Sequence, residues 1–145
     1  LIGGVLHFQF GYALGGVFDL NGWLLATFFA LTFTAGHLAQ EVRNHDGDVR
    51  MGVRTNAVSF GPKRTFVASV AVFTLSQALL FSMALWGTVP RALAALALLH
   101  PLQLRWSAVA FDEGLTHASL CRLQARYRLL YGAIGVAMIA ALWVG

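Results

Sequence analysis

Apolar residues run along this chain in five long stretches, 1–18, 22–40, 65–86, 91–111 and 129–145, separated by polar segments. The hydrocarbon core of a bilayer asks for about 20 apolar residues per helical span, and each stretch comes close to that length. Segments such as 92–99 and 134–143 are apolar on every face instead of alternating. That excludes the period-two pattern of transmembrane β-barrel strands, so each backbone must satisfy its own hydrogen bonds as a helix. The predicted fold is an all-α membrane protein with five transmembrane helices. No long period recurs and no low-complexity linker appears, so residues 1–145 read as a single transmembrane helical domain punctuated by Pro62, Pro90 and Pro101. Pro101 falls inside the fourth span and is expected to kink it after His100.

Composition strengthens this reading. The chain is 58% hydrophobic and 11% charged, against roughly a quarter charged in soluble domains, so a soluble globular protein is excluded. The basic residues cluster in two loops: Arg43, Arg50, Arg54, Lys63 and Arg64 follow the second span, and Arg122, Arg126 and Arg128 follow the fourth. Alternating spans bring both loops to one side, which the positive-inside rule makes the cytoplasm, as in a multi-pass protein of a bacterial-type inner membrane. Trp23, Trp86 and Trp143 then gather at the opposite interface, where indole rings favour the headgroup level. The net charge of +4 therefore reflects orientation and attraction to anionic lipid, with no nucleic-acid partner. Cys121 has no second cysteine to pair with, which leaves a redox role without support. The chain opens on Leu with no basic segment ahead of its first span, unlike a signal peptide, and is expected to be part of a longer polypeptide.

Three of the six acidic residues lie within Glu41-Val42-Arg43-Asn44-His45-Asp46-Gly47-Asp48. If the second helix continues past Gln40, then Glu41, Asn44, His45 and Asp48 share one face, because positions i, i+3, i+4 and i+7 stack. Asp46 lies off that face unless Gly47 releases the chain from helical geometry. Oxygen donors of this kind suit Mg²⁺, which typically takes one or two carboxylates together with substrate phosphates. Arg43, Arg54, Lys63 and Arg64 add donors for an anion, and Arg can grip phosphate through two bonds at once. Metal and cations together point to a diphosphate. The competing reading is a solvated segment whose acids and bases form weak surface pairs. In that case the chain is a non-catalytic membrane bundle or transporter segment whose charged loop binds lipid headgroups or a partner.

The order E-x-x-N-x-x-x-D, followed by Gly52, Arg54-Thr55, Ala57-Val58 and Phe60-Gly61, resembles the second aspartate-rich motif of the UbiA superfamily of intramembrane prenyltransferases. The basic and aromatic run from Arg122 to Tyr131 is similar to the approach to that family's final helix. The resemblance implies the C-terminal five helices of a nine-helix bundle. It also implies Mg²⁺-dependent transfer of a polyprenyl group from a prenyl diphosphate to an aromatic or related lipid-cofactor acceptor. Carried over by position, Asp48 is the later metal-binding aspartate and Asn44 stands where many members have the earlier one. Glu41 takes a third acidic position, found in the chlorophyll-synthase-like branch. The resemblance gives Glu41, Asn44 and Asp48 catalytic places, with Glu41, Asp46 and Asp48 as metal ligands. Arg43, Arg54, Lys63, Arg64, His37 and Gln40 would face substrate. The motif is closer to the naphthoate, homogentisate and chlorophyll-synthase-like groups than to the 4-hydroxybenzoate group, which suggests a lipid-quinone or related acceptor. The family's first aspartate-rich motif has no counterpart here: the remaining acids are Asp19, Asp112 and Glu113. The missing N-terminal helices would carry it, and this chain alone is expected to be inactive.

Other polar residues in the spans, among them His7, Gln9, Gln77, His100 and Gln103, are expected mainly to hydrogen-bond between helices. Gly3-Gly4, Gly11, Gly15-Gly16 and the Gly132 to Gly135 segment are expected at close helix contacts.

Overall fold

The computed structural model describes residues 2–14 and 19–144, with backbone alone for 138 and 141–144. The Gly15-Gly16 pair and the Trp143 side chain lie outside the described residues. The elements in chain order are α1 (Ile2–Ala13), α2 (Leu20–Met51), α3 (Asn56–Phe60), α4 (Pro62–Trp86), a 3₁₀ helix (Arg91–Leu99), α5 (His100–Asp112) and α6 (His117–Val144). No strand occurs among the described residues.

Two helices, α2 and α4, are long and apolar enough to cross a membrane by length and composition. The 32 residues of α2 rise about 1.5 Å each, giving a rod of about 48 Å against a hydrocarbon core of about 30 Å. The second span therefore does not stop at Gln40. The helix is longer than the hydrocarbon core is thick, and the acidic run lies in its last three turns. Gly47 does not break it, so Asp46 stays off the face shared by Asn44 and Asp48. The helix ends at Gly52, whose φ of 69° is left-handed. The Gly52 amide donates to the Val49 carbonyl at 3.2 Å and the Val53 amide to the Asp48 carbonyl at 2.9 Å, a Schellman stop that favours glycine at this position.

The segment expected as a loop over 112–128 is largely helical, because α6 begins at His117. Pro101 also acts differently from the expected kink. Within a continuous α-helix its ring would clash with the carbonyl four residues back, at Ala97. The chain instead runs as a 3₁₀ helix to Leu99 and starts α5 at His100, leaving Pro101 in the first turn, where its missing N–H costs nothing.

Small residues bring α2 and α4 close. Ala26, Ala30, Ala35 and Ala39 are all buried along α2, and Ser69 of α4 donates its hydroxyl to the Ala35 carbonyl at 2.8 Å. Gly4 of α1 sits against Ala30, and Gly22 lies beneath the Tyr12 ring, where an added Cβ would meet ring carbon at 2.6 Å. One core cluster joins Phe28, Leu80, Met83, Leu93, Leu130 and Ile134. A second, nearer the charged end, joins Val42, Ala57, Phe66, Phe73, Leu120, Leu123 and Tyr127. The outer faces of α4 and α6 leave Val67, Leu75, Leu85, Leu129 and Val136 exposed, as expected of helices immersed in lipid, where apolar exposure carries no penalty.

Candidate functional site

Two cavities lie along one face of α2. The first, of about 710 Å³, is bounded by the end of α2 from Val42 to Met51, by Pro62 and Lys63 opening α4, and by Gly114–His117 between α5 and α6. Antiparallel packing of α2 and α4 brings Lys63 to the end of the bundle that holds Arg43, and the start of α6 meets that end through Gln124. In the turn that closes the cavity, Leu115 has a left-handed φ of 55°, a conformation costing a branched residue about 1–2 kcal/mol. Its side chain packs against the second core cluster.

Inside this cavity the polar groups differ in how far they are already committed. Arg43 donates from Nε to Asn44 Oδ1 at 3.1 Å and from Nη1 to Gln124 Oε1 of α6 at 2.6 Å. Arg50 donates to the Asp46 carbonyl at 3.0 Å. Asp46 pairs with His45 at 3.0 Å, but its side chain is 89% exposed, which puts it on the rim. Asp48 and Lys63 line the same cavity, and their side chains form no hydrogen bond or ion pair among the described residues. An unpaired acid and an unpaired base in one cleft are free to meet a ligand carrying both a cation and an anion.

Glu41 stands apart from this group. Its carboxylate accepts from the Asn56 amide at 2.8 Å and from Asn56 Nδ2 at 3.2 Å, so it fastens the start of α3 to the side of α2. Thr55 caps the same helix, accepting from the Val58 amide at 3.3 Å. Ala57 is fully buried and Gly61 turns the chain with φ 88°. Much of the pattern from Gly52 to Gly61 is therefore turn chemistry that leads the chain back to Lys63. Arg64 lines a separate hollow with Leu38, Asn56 and Phe60, and Arg54 is exposed on the intervening turn. Of the expected residues, the structure gathers Arg43, Asn44, Asp46, Asp48 and Lys63, and leaves Glu41, Arg54 and Arg64 outside.

The second cavity, of about 270 Å³, continues the same face of α2 through Thr32, Phe33, Gly36, His37 and Gln40, and faces Phe73 of α4 and Gln124, Tyr127, Arg128 and Tyr131 of α6. The rings of Phe73, Tyr127 and Tyr131 form one wall, with centroids 4.9 Å and 5.2 Å from Phe73. Their hydroxyls bond behind the wall: Tyr127 to Ser107 at 2.5 Å, and Tyr131 to Gln103 at 3.4 Å and Gln77 at 3.2 Å. Gln77 and Gln103 are thus the interhelical links expected of them, while both side-chain polar atoms of buried Gln9 have no hydrogen-bond partner among the described residues. The α6 residues of this wall escaped the sequence reading as site residues, although Gln124, Tyr127 and Tyr131 recur at helical spacing within the run already noted for its basic and aromatic character.

A UbiA-type motif at a helix end, a charged cleft around it and an aromatic cavity next to it along α2 agree with a direct comparison: the UbiA prenyltransferase family matches residues 1–124. This chain belongs to the UbiA prenyltransferase family. The family consists of membrane-integral prenyltransferases, so the apolar helices are membrane helices and the family-level chemistry is transfer of a prenyl group. No curated protein and no solved structure matches the chain significantly.

Among the described residues, no group of three or more His, Cys, Asp and Glu side chains converges as a metal cage. Asp48 and Glu41 are two helical turns apart, about 10 Å along the axis. What the chain offers a divalent cation is the free carboxylate of Asp48 beside the Asn44 amide. That donor set fits Mg²⁺, whose remaining positions are ordinarily filled by water and phosphate oxygens.

Proposed function

We propose that this chain forms the second-motif half of a UbiA-type active site, which transfers a polyprenyl group from a prenyl diphosphate to an aromatic or related lipid-cofactor acceptor. The observation that carries the proposal is the unpaired Asp48 and Lys63 in a charged cleft that lies next to an aromatic cavity along the same helix, α2. The diphosphate occupies the cleft, on the cytoplasmic side, and the allylic end of the prenyl chain enters the aromatic cavity. Asp48, with Asn44 beside it, would hold Mg²⁺, which would supply Lewis-acid stabilisation of the leaving diphosphate. Lys63 and Arg43 donate to phosphate oxygens and stabilise the charge that develops as the C–O bond breaks. The walls of Phe33, Phe73, Tyr127 and Tyr131 exclude water from the allylic cation and offer it ring faces. His37 and Gln40 orient the acceptor ring, whose carbon forms the new bond before the ring loses its proton. Glu41 serves the site by fixing the turn that delivers Lys63.

The test is release of diphosphate from a labelled prenyl diphosphate by the full-length, membrane-embedded protein. Release should require Mg²⁺, stop on chelation and return when Mg²⁺ is restored. Wild-type release by Asp48→Ala would overturn the assignment.

A further inference from the structure

Among the described residues Arg43 is the one cation of the charged cleft whose side chain bonds across to α6, and its partners are amides. Its Nε–H goes to Asn44 Oδ1 and an Nη1–H to Gln124 Oε1, while the other guanidinium N–H groups meet no acceptor among the described residues. Both partners are neutral. Arg122, by contrast, is paired with the Glu113 carboxylate at 2.6 Å, away from the cleft. A carboxylate partner would cancel most of the guanidinium's charge toward a third group, whereas an amide fixes its direction and leaves the charge intact. The bridge also has a defined place. Arg43 lines the charged cleft and Gln124 lines the aromatic cavity, so their hydrogen bond stands at the boundary between the two. His117, in the first turn of α6, approaches the Arg43 carbonyl at 3.4 Å, a second tie between α6 and this residue of α2.

We infer that Gln124 is a positioning residue, which holds the Arg43 guanidinium at the boundary of the two cavities with its charge undiminished for the diphosphate. The inference rests on the diphosphate reading of the cleft and assigns a role to α6 within it. Gln124→Glu is nearly isosteric, keeps an acceptor for Arg43 and strengthens the bond, but places a negative charge on the guanidinium. A merely structural link would hold as well or better in this variant. A charge-preserving one would bind anion less well.

The experiment is calorimetric titration of the full-length protein in lipid nanodiscs with inorganic pyrophosphate and Mg²⁺, together with a thermal melt. Gln124→Glu should keep the wild-type melting temperature or raise it, while weakening pyrophosphate binding about tenfold, the effect of losing one charge-assisted contact. Gln124→Met, which fills the same volume without an acceptor, should weaken binding too and also lower the melting temperature. It answers the question by geometry if the glutamate variant does not accumulate. Wild-type affinity in the glutamate variant, or in the methionine variant where only that one folds, would overturn the role of Gln124 alone. Absence of pyrophosphate binding by the wild-type protein would overturn the diphosphate reading and this inference with it.

Discussion

The charged cleft and the aromatic cavity share one face of α2, yet the acid and base of the one and the tyrosine hydroxyls of the other are treated in opposite ways. In the cleft, Asp48 and Lys63 have no partner among the described residues, and Arg43 is directed by amides. In the aromatic cavity, the Tyr127 and Tyr131 hydroxyls are committed to Ser107, Gln103 and Gln77 behind the wall, so that rings form the surface. The location explains the contrast. At the end of a helix about 48 Å long, beyond the hydrocarbon region, an unpaired charge is hydrated and inexpensive. Within the bundle an unpaired polar group costs about 1–3 kcal/mol, so hydroxyls there are tied down. Unpaired groups in the cleft are free for a ligand and the paired tyrosine hydroxyls behind the wall are structural, while the exposed His37 and Gln40 leave the aromatic cavity its own groups for an acceptor.

The contrast breaks most sharply at Asp48. Asp48→Asn should reduce diphosphate release by about 10²–10³-fold, on the scale of losing one electrostatic contributor to a transition state. Its melting temperature should not fall, because the carboxylate supports no intrachain bond. A destabilised variant would mean that Asp48 belongs to the fold.

The next largest effect is expected from the aromatic wall. Tyr131→Ala removes a ring stacked on Phe73 and should cost about 3 kcal/mol in unfolding, with loss of prenyl transfer. Tyr131→Phe keeps the ring and should cost about 1 kcal/mol for the lost hydroxyl bonds, with transfer retained. Loss of transfer in the Phe variant would mean that the hydroxyl, not the ring, meets substrate.

Glu41 sharpens the comparison because it is an acid of the same motif that is already committed. Glu41→Gln should lower stability by about 1 kcal/mol through the weakened hold on α3, and should slow release far less than Asp48→Asn. Equal losses at the two positions would return Glu41 to the metal. The smallest effect belongs to Gln103, whose side chain is fully buried with Nε2 lacking a hydrogen-bond partner among the described residues. Gln103→Met should change unfolding free energy by less than about 1 kcal/mol, since it removes an unsatisfied donor along with a long hydrogen bond. A larger loss would show that the bond to Tyr131 carries the wall.

The helical membrane class, the family and the motif were legible in the sequence, for reasons tied to particular residues. Apolar runs of near-spanning length leave the backbone one way to satisfy itself in lipid. The spacing of Glu41, Asn44 and Asp48 follows from helical periodicity wherever the helix persists. Its extent was harder to read: polar composition suggested a loop from 41 onward, but helix propagation needs no apolar residue, and the true stop is the left-handed Gly52. The helical start of α6 was hidden in the same way, behind polar residues 117–128.

Pairing was decided only in three dimensions. No local signal distinguishes Glu41 from Asp48, since both are acids on the same face of one helix. The difference arises because α3 folds back and offers its first amide to Glu41, while no hydrogen-bond donor among the described residues reaches the Asp48 carboxylate. Likewise the sequence marks Arg43 as a cation near an acidic motif, but its direction comes from Gln124, 81 residues away. Sequence determines what each segment can be, through hydropathy and period. Which polar groups stay free for chemistry depends on long-range packing, because a hydrogen bond requires its partner within about 3 Å, and only the tertiary fold sets that distance.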